Sequence, residues 1–234
     1  YTPFSFDITP FLAKGGVQKI VVSVWDPTDR SFQPRGKQVD RPQGIWYTSV
    51  TGIWQTVWIE PVSDSYIASL KSIPDIDGNT VTVNACVTGA GAGDLVEVTV
   101  SGQGKTISQA KAAAGQEVLL PVPSPNLWSP ESPFLYDMEV TLTRGGVVID
   151  KVKSYFGMRK IGRGRYGAAG HEYILLNGKP LYLRGALHQS FSPEGLYTHP
   201  DDAYIRSDYE KAKEFGLNFI RIHIKVEEPR ALYW

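Results

Sequence analysis

Hydrophobic and polar residues alternate most clearly in the middle of the chain. From Val81 to Val87 every second residue is apolar, with Thr82, Asn84 and Cys86 between them. This period of two is typical of a strand with one buried face. Similar patterns, separated by turn-forming residues, predict seven strands that begin near Ile67, Thr80, Leu95, Thr106, Glu117, Leu135 and Val147. About seven strands in roughly 95 residues is typical of an immunoglobulin-like β-sandwich.

The first 62 residues also predict β-structure, interrupted by long loops. Residues 19–25, 45–50 and 55–60 are rich in β-branched and aromatic side chains and predict three strands. A sheet of three or four strands is marginal by itself. We therefore expect this segment to be the end of a larger β-domain, whose other strands precede Tyr1 or come from a neighbour. Trp46, Trp54 and Trp58 are interpreted as core residues rather than as sugar-stacking platforms.

The last third of the chain predicts a strand, a helix and a second strand. Residues 181–188 form the first strand, and residues 198–201 open a helix that runs to about Gly216. Thr198 and Asp201 are interpreted as a capping-box variant, and residues 217–224 form the second strand. Such a unit begins a (β/α)₈ barrel, which needs about 250 residues. Only ten residues follow Ile224.

Composition excludes several classes of partner. The 24 basic and 24 acidic residues give zero formal net charge, so we expect no nucleic-acid partner. No apolar run approaches the roughly 18 residues of a membrane span, and we expect no membrane partner. The first residues do not resemble a signal peptide, although one could have been removed. The compartment stays open, with a periplasmic or extracellular location favoured, and a homo-oligomer stays open too.

The sequence predicts no cofactor. Residues 162–167 match GxGxxG literally, but no helix follows, so a dinucleotide site is rejected. The four histidines and one cysteine lack the spacing of zinc ligands. Cys86 is the only cysteine, which excludes an intrachain disulfide, and we expect a buried thiol.

Five segments resemble glycoside hydrolase family 2, and they occur in that family's order. They are TGIWQTVWIE at 51–60, NLWSPESPFLY at 126–136, FGMRKI at 156–161, LNGKP at 176–180 followed by LRG at 183–185, and LNFIR at 217–221. The resemblance implies three modules. Residues 1–62 would be the C-terminal part of a jelly-roll sugar-binding domain, 63–157 an immunoglobulin-like sandwich, and 158–234 the truncated start of a catalytic TIM barrel.

The resemblance also implies a retaining exo-glycosidase that acts on terminal β-linked sugars, and hence a carbohydrate substrate. In the family the two catalytic glutamates come from later barrel strands, so no residue of this chain is assigned as catalytic. Glu194, Glu227 and Glu228 are interpreted as solvated structural residues. We expect the chain alone to hydrolyse nothing.

Four residues are predicted to bind substrate at the ends of the two barrel strands. Period two puts Arg184 and His188 on one face of the first strand, and Arg221 and His223 on one face of the second. The family has an arginine at the position of Arg221. Structural ion pairs and satisfied histidines are the alternative roles for these residues. A non-catalytic carbohydrate-binding β-sandwich and a scaffold without ligand are the rival functions.

Overall fold

The protein is mainly β and contains several separate sheets. The computed structural model describes residues 2–234 and divides into two compact units. One unit is Ile59–Tyr182, and the other combines Leu183–Trp234 with the described residues up to Trp58. Within residues 2–234, no helix is long and apolar enough to cross a bilayer.

The described elements are fourteen strands and two α-helices, besides a 3₁₀ turn at Thr9–Phe11. In chain order they are β1 (Gln38–Val39), β2 (Tyr47–Thr48), β3 (Tyr66–Asp75), β4 (Thr80–Thr88), β5 (Leu95–Gly102), β6 (Lys105–Ala113), β7 (Val118–Pro121), β8 (Tyr136–Arg144), β9 (Val147–Phe156), β10 (Ile161–Tyr166), β11 (His171–Leu176), β12 (Lys179–Pro180), β13 (Gly185–His188), α1 (Asp202–Glu214), β14 (Phe219–Ile222) and α2 (Pro229–Tyr233).

Two antiparallel sheets enclose the largest core of the Ile59–Tyr182 unit. One sheet has the order β3-β4-β7 and the other the order β6-β5-β8-β9. All seven predicted strands are confirmed, each beginning within one residue of the expected position. Their inward residues form one apolar cluster that includes Val83, Val98 and Leu142, all with no exposed surface. Burying each such side chain stabilises the fold by about 1.5–3 kcal/mol.

The single thiol lies on the outer face of this sandwich. Cys86 is exposed, so the prediction of a buried thiol is wrong. The strand β4 alternates strictly, and its inward positions are taken by Val81, Val83 and Ala85. Residues at the intervening positions point to the other side of the sheet.

The segment that follows the sandwich forms a small sheet of its own. Strands β10, β11 and β12 form an antiparallel meander, with Ile161 paired to Leu176 and Tyr166 paired to His171. The GxGxxG match therefore falls on a strand and a turn, and the next element is a strand rather than the helix that a dinucleotide fingerprint requires. A Cβ at Gly164 would lie 3.0 Å from the Leu175 side chain across the hairpin.

Strand predictions fail in the first 60 residues. Residues 19–25 and 55–60 form no strand, and the prediction for 45–50 reduces to β2, which pairs in parallel with β1. The core role predicted for Trp46 and Trp58 is wrong, because 41% and 71% of their surfaces are exposed. Strand propensity reflects packing against neighbouring strands. The described residues offer these segments no such neighbour.

The predicted strand-helix-strand unit is present at the end of the chain. Strands β13 and β14 are parallel and are joined by α1, with Gly185 opposite Phe219. A Cβ at Gly185 would lie 2.5 Å from the Phe219 ring, so only glycine fits this pairing. The helix is capped by Asp201, whose Oδ1 accepts from the Tyr204 N–H at 2.7 Å. The capping box predicted at Thr198 is therefore wrong, because the helix begins one turn later.

Candidate functional site

A buried cluster of charged and polar side chains lies where β13 and β14 end. Its members are Ser190, His199, Lys225, Glu227 and Glu228, and we call it the rim cluster. Ser190 and His199 follow β13, and the other three follow β14. Parallel pairing brings the two following segments to one edge of the sheet. Each buried charge carries a desolvation penalty of several kcal/mol unless it is paired.

The ammonium group of Lys225 has a full set of acceptors. Its Nζ donates to the carbonyl oxygens of Tyr197 at 2.8 Å and Ser190 at 3.1 Å, and lies 3.2 Å from Glu227 Oε1. The Lys225 side chain is 1% exposed. Its Nζ is also 4.7 Å from the centre of the Tyr197 ring and 5.6 Å from that of Trp54. Burial lowers the pKa of Lys225, and the charge of Glu227 opposes that shift.

The carboxylate of Glu227 is the centre of the rim cluster. Its Oε2 accepts from the Ser190 hydroxyl, and its Oε1 accepts from the Glu228 N–H at 3.1 Å. Burial alone would raise the pKa of Glu227, but His199, Ser190, Lys225 and the Glu228 amide outweigh burial and hold the pKa at about 2. Glu227 is therefore ionised at neutral pH. It cannot serve there as a general acid, a role that needs a pKa near the working pH.

Glu228 is bound to a different cation. The Arg230 Nε and Nη2 approach Glu228 Oε2 at 3.1 and 2.9 Å, and Arg230 Nη1 lies 2.8 Å from Asp202 Oδ1. The other Glu228 oxygen accepts from the His199 N–H at 3.3 Å. This arginine therefore ties the start of α1 to the loop before α2.

The expectation that Glu227 and Glu228 are solvated is wrong. They are 5% and 4% exposed. Their carboxylate oxygens come within 4.8 Å of each other, which resembles the roughly 5 Å separation of a retaining glycosidase pair. Both are buried and bound to cations, Glu227 to Lys225 and Glu228 to Arg230. We assign them no catalytic role.

His199 completes a group with the composition of a metal site. His199, Glu227 and Glu228 each place a ligand atom within 4.8 Å of the others. Both ring nitrogens of His199 are buried without a hydrogen-bond partner, and Nε2 lies 3.6 Å from Glu227 Oε1. The two carboxylates are already balanced by Lys225 and Arg230. A divalent ion would add two uncompensated charges, so we assign no metal to this group.

His188 links the rim cluster to solvent. Its Nδ1 lies 2.9 Å from Ser190 Oγ, and its Nε2 lies 3.6 Å from Asp208 Oδ2 on α1. The His188 side chain is 25% exposed and that of Asp208 is 38% exposed. Among residues 2–234, His188 is the one predicted substrate-binding residue whose side chain hydrogen-bonds to a member of the rim cluster.

The other predicted site residues are not all brought together. In the register, Leu187 is opposite Arg221, and His188 is opposite Ile222. Opposite residues share a face, so Arg221 lies on the face away from His188 and Arg184. Arg184 and Arg221 are exposed, and His223 is half-buried. The His223 N–H donates to the His188 carbonyl at 2.9 Å, which extends the strand pairing by one step.

Sequence reasoning missed the rim cluster, although part of its signal is local. A lysine two residues before Glu227 and an arginine two residues after Glu228 supply both counter-charges. Ser190 and His199 could not be found in this way, because the Ser190–Glu227 hydrogen bond joins residues 37 positions apart.

Known proteins match the chain along its length. Residues 65–159 match the glycosyl hydrolases family 2. A β-galactosidase from Thermoanaerobacter pseudethanolicus is 28% identical over 94% of this chain and 30% of its own length. A putative β-glucuronidase from Formosa agariphila is 29% identical over 98% of this chain and 27% of its own. The chain thus spans less than a third of either relative.

Solved structures share the fold. The crystal structure of a glycosyl hydrolase family 2 member from Bacteroides cellulosilyticus superposes with a TM-score of 0.63, at 19% identity, over 74% of this chain and 25% of that one. The family match covers the sandwich, and both relatives align with nearly all of the remaining chain. Along nearly all of its length, this chain is similar to part of the glycosyl hydrolases of family 2.

Proposed function

We propose that this chain is part of a retaining exo-glycosidase that removes terminal β-linked sugars from oligo- or polysaccharides. The supporting observation is the parallel β13-α1-β14 unit, with charged and imidazole side chains where its strands end, in a chain similar to β-galactosidases and β-glucuronidases. Barrel enzymes build their sites at that end of their strands. The chain would supply accessory β-domains and one wall of the pocket.

In this proposal β13 and β14 are the first two strands of a (β/α)₈ barrel that occupies residues from 158 onward. Residues 63–157 are the immunoglobulin-like sandwich, and residues 1–62 are the C-terminal part of a jelly-roll sugar-binding domain. The order of the two sandwich sheets, with three and four strands, agrees with the immunoglobulin-like interpretation. Residues 19–25 and 55–60 lie outside the strands of the structure, so the jelly-roll interpretation of residues 1–62 rests on the resemblance in sequence.

Arg184, His188, Arg221 and His223 are proposed to hold the substrate or to orient a catalytic carboxylate. Guanidinium groups donate in a fixed fork, and imidazoles can donate or accept, so both suit sugar hydroxyls and carboxylates. Arg184 and His188 lie on one face of the sheet and Arg221 on the other, so only one of these sets would face the barrel interior and contact the substrate directly, and the other would act through neighbouring groups. Of these, His188 has the best-defined geometry, because Ser190 holds its ring.

The chemistry would use two carboxyl groups outside this chain. One protonates the leaving oxygen while the other attacks the anomeric carbon, and water then releases the sugar with its configuration retained. Within residues 2–234, Glu227 and Glu228 are the buried adjacent carboxylates, and both are bound to cations. We therefore propose that the 234-residue chain has no hydrolytic activity by itself.

The test is a hydrolysis assay of two proteins, the 234-residue chain and a longer protein that contains it. Both are assayed with nitrophenyl β-galactoside, β-glucuronide, β-mannoside and β-glucosaminide. We expect the longest open reading frame that contains these residues to release nitrophenol from one member, and the 234-residue chain to release none. ¹H NMR of the first-formed sugar should show the β-anomer. Release of the α-anomer, or no turnover of any β-glycoside by the longer protein, would refute the proposal. Hydrolysis by the short chain would refute the placement of the catalytic carboxylates.

A further inference from the structure

A continuous set of polar contacts runs from the buried carboxylate of Glu227 to the surface. Glu227 Oε2 accepts from the Ser190 hydroxyl, and Ser190 Oγ lies 2.9 Å from His188 Nδ1. The opposite ring nitrogen, Nε2, lies 3.6 Å from Asp208 Oδ2. Ser190 is 2% exposed, so water has little access to the hydroxyl between the carboxylate and the ring.

The proton positions along this path follow from counting donors. A serine hydroxyl has one proton and two lone pairs. Lys225 Nζ, 3.2 Å from Glu227 Oε1, keeps that carboxylate ionised, so Glu227 can only accept. The Ser190 proton is therefore committed to Glu227. Ser190 Oγ is left with lone pairs toward His188, and the 2.9 Å contact requires a proton on His188 Nδ1.

We propose that Ser190 and Glu227 are positioning residues that hold the His188 imidazole with its proton on Nδ1, so that Nε2 is a hydrogen-bond acceptor beside the Asp208 carboxylate. In the neutral ring neither Nε2 nor Asp208 can donate to the other. Together they form a pair of acceptors at the edge of the rim cluster. The complementary ligand group is one that donates, such as a hydroxyl or an amino group of a sugar, and this assignment of the ligand rests on the proposed function.

Backbone geometry supports a preset position for Ser190. Its φ is +50°, in the left-handed region that non-glycine residues enter at a cost. The loop that follows is equally constrained, because a Cβ at Gly195 would lie 2.0 Å from the Thr198 carbonyl oxygen. The backbone carbonyl of Ser190 also accepts from Lys225 Nζ at 3.1 Å. The hydroxyl is thus held in place by contacts other than the one it makes with His188.

The experiment reads the tautomer directly in the 234-residue chain. The chain has four histidines, so a two-bond ¹H–¹⁵N correlation spectrum contains four imidazole patterns, and His188→Gln identifies the one that belongs to His188. The spectrum is recorded at about pH 8.5, and the shifts of the two ring nitrogens show which of them carries a proton. We expect the wild-type ring to carry its proton on Nδ1. A wild-type ring protonated on Nε2 would overturn the proposal without any variant.

Two variants separate positioning from general loop damage. Ser190→Ala removes the acceptor of Nδ1–H, and we expect the His188 pattern to change to the Nε2–H form or to a mixture. Ser192→Ala is the matched control, since Ser192 is 1% exposed but bonds to Gly195 and Thr198 instead of His188. It should keep the wild-type pattern. An unchanged pattern in folded Ser190→Ala, or an equal change in both variants, would refute the role of Ser190.

The result does not depend on hydrolysis. An Nδ1–H tautomer together with no glycosidase activity in the longer protein would refute the proposed function and support the positioning role. Activity together with an Nε2–H tautomer would do the reverse.

Discussion

Replacing Glu227 with glutamine tests whether the rim cluster stabilises the fold through an ionised carboxylate. The folded pKa of about 2 lies below the ordinary value of 4.5. A lowered carboxyl pKa contributes stability above the unfolded pKa, and that stability is lost as pH falls through the folded pKa. At about 1.4 kcal/mol per pKa unit, the ionised Glu227 contributes about 3 kcal/mol at pH 7. Breaking a buried ion pair by removing one partner costs a similar 3–5 kcal/mol or so.

We therefore expect Glu227→Gln to lower the free energy of unfolding by about 3 kcal/mol at pH 7. The difference from wild type should shrink below pH 4.5 and be mostly lost at about pH 2, where half of the folded molecules have a protonated Glu227. Urea unfolding followed by tryptophan fluorescence suits this measurement. Five of the six tryptophans, Trp128 being the exception, lie in the unit that contains Glu227.

Glu210→Gln is the matched control for this experiment. Glu210 is an exposed carboxylate on α1 that pairs with Arg206 one turn away. Such surface pairs are worth about 0.3–0.5 kcal/mol, so the control should shift the urea midpoint only slightly. A Glu227→Gln effect as small as that of the control, or one that is equal at pH 7 and pH 3, would refute the argument that Lys225 and Ser190 stabilise a buried anion.

Three further predictions concern the strand pairing and the sandwich. Gly185→Ala places a methyl group 2.5 Å from the paired Phe219 ring on β14 and should lower the free energy of unfolding in urea by about 1–3 kcal/mol. Gly162→Ala is the control and should be tolerated, because a Cβ there meets nothing within 4 Å. Equal effects of the two substitutions would contradict the strand register. Leu120 is 0% exposed and Leu119 is 60% exposed. Leu120→Ala should therefore lower the free energy of unfolding by about 2–5 kcal/mol, and Leu119→Ala by less than about 0.5 kcal/mol. Similar losses would mean that the two side chains do not lie on opposite faces of β7 as the structure shows. Cys86 should react with a thiol reagent in the native protein, and a thiol that reacts only after unfolding would show that it is buried.

The local sequence pattern was sufficient to predict the strands of the sandwich. Each strand from β3 to β9 was predicted from its own alternation and its flanking turns, and each begins within one residue of that prediction. The same signals failed for residues 19–25, whose β-branched residues lie exposed and irregular. The difference lies in strand pairing. Strand β4 is paired with β3 and β7, whereas the described chain offers residues 19–25 no neighbouring strand. Strand propensity is expressed only where a partner supplies hydrogen bonds and packing.

The candidate site was likewise predictable from the sequence only in part. Sequence periodicity placed His188 at the end of β13 and Arg221 in β14, and the resemblance to family 2 supplied their proposed role. Tertiary structure decided that Glu227 is buried, that Ser190 bonds to it, and that Arg221 faces away from His188. Alternation along one strand is a property of neighbouring residues and can be read locally. Burial and register between strands depend on residues 30 or more positions apart that meet only after β13 and β14 have paired.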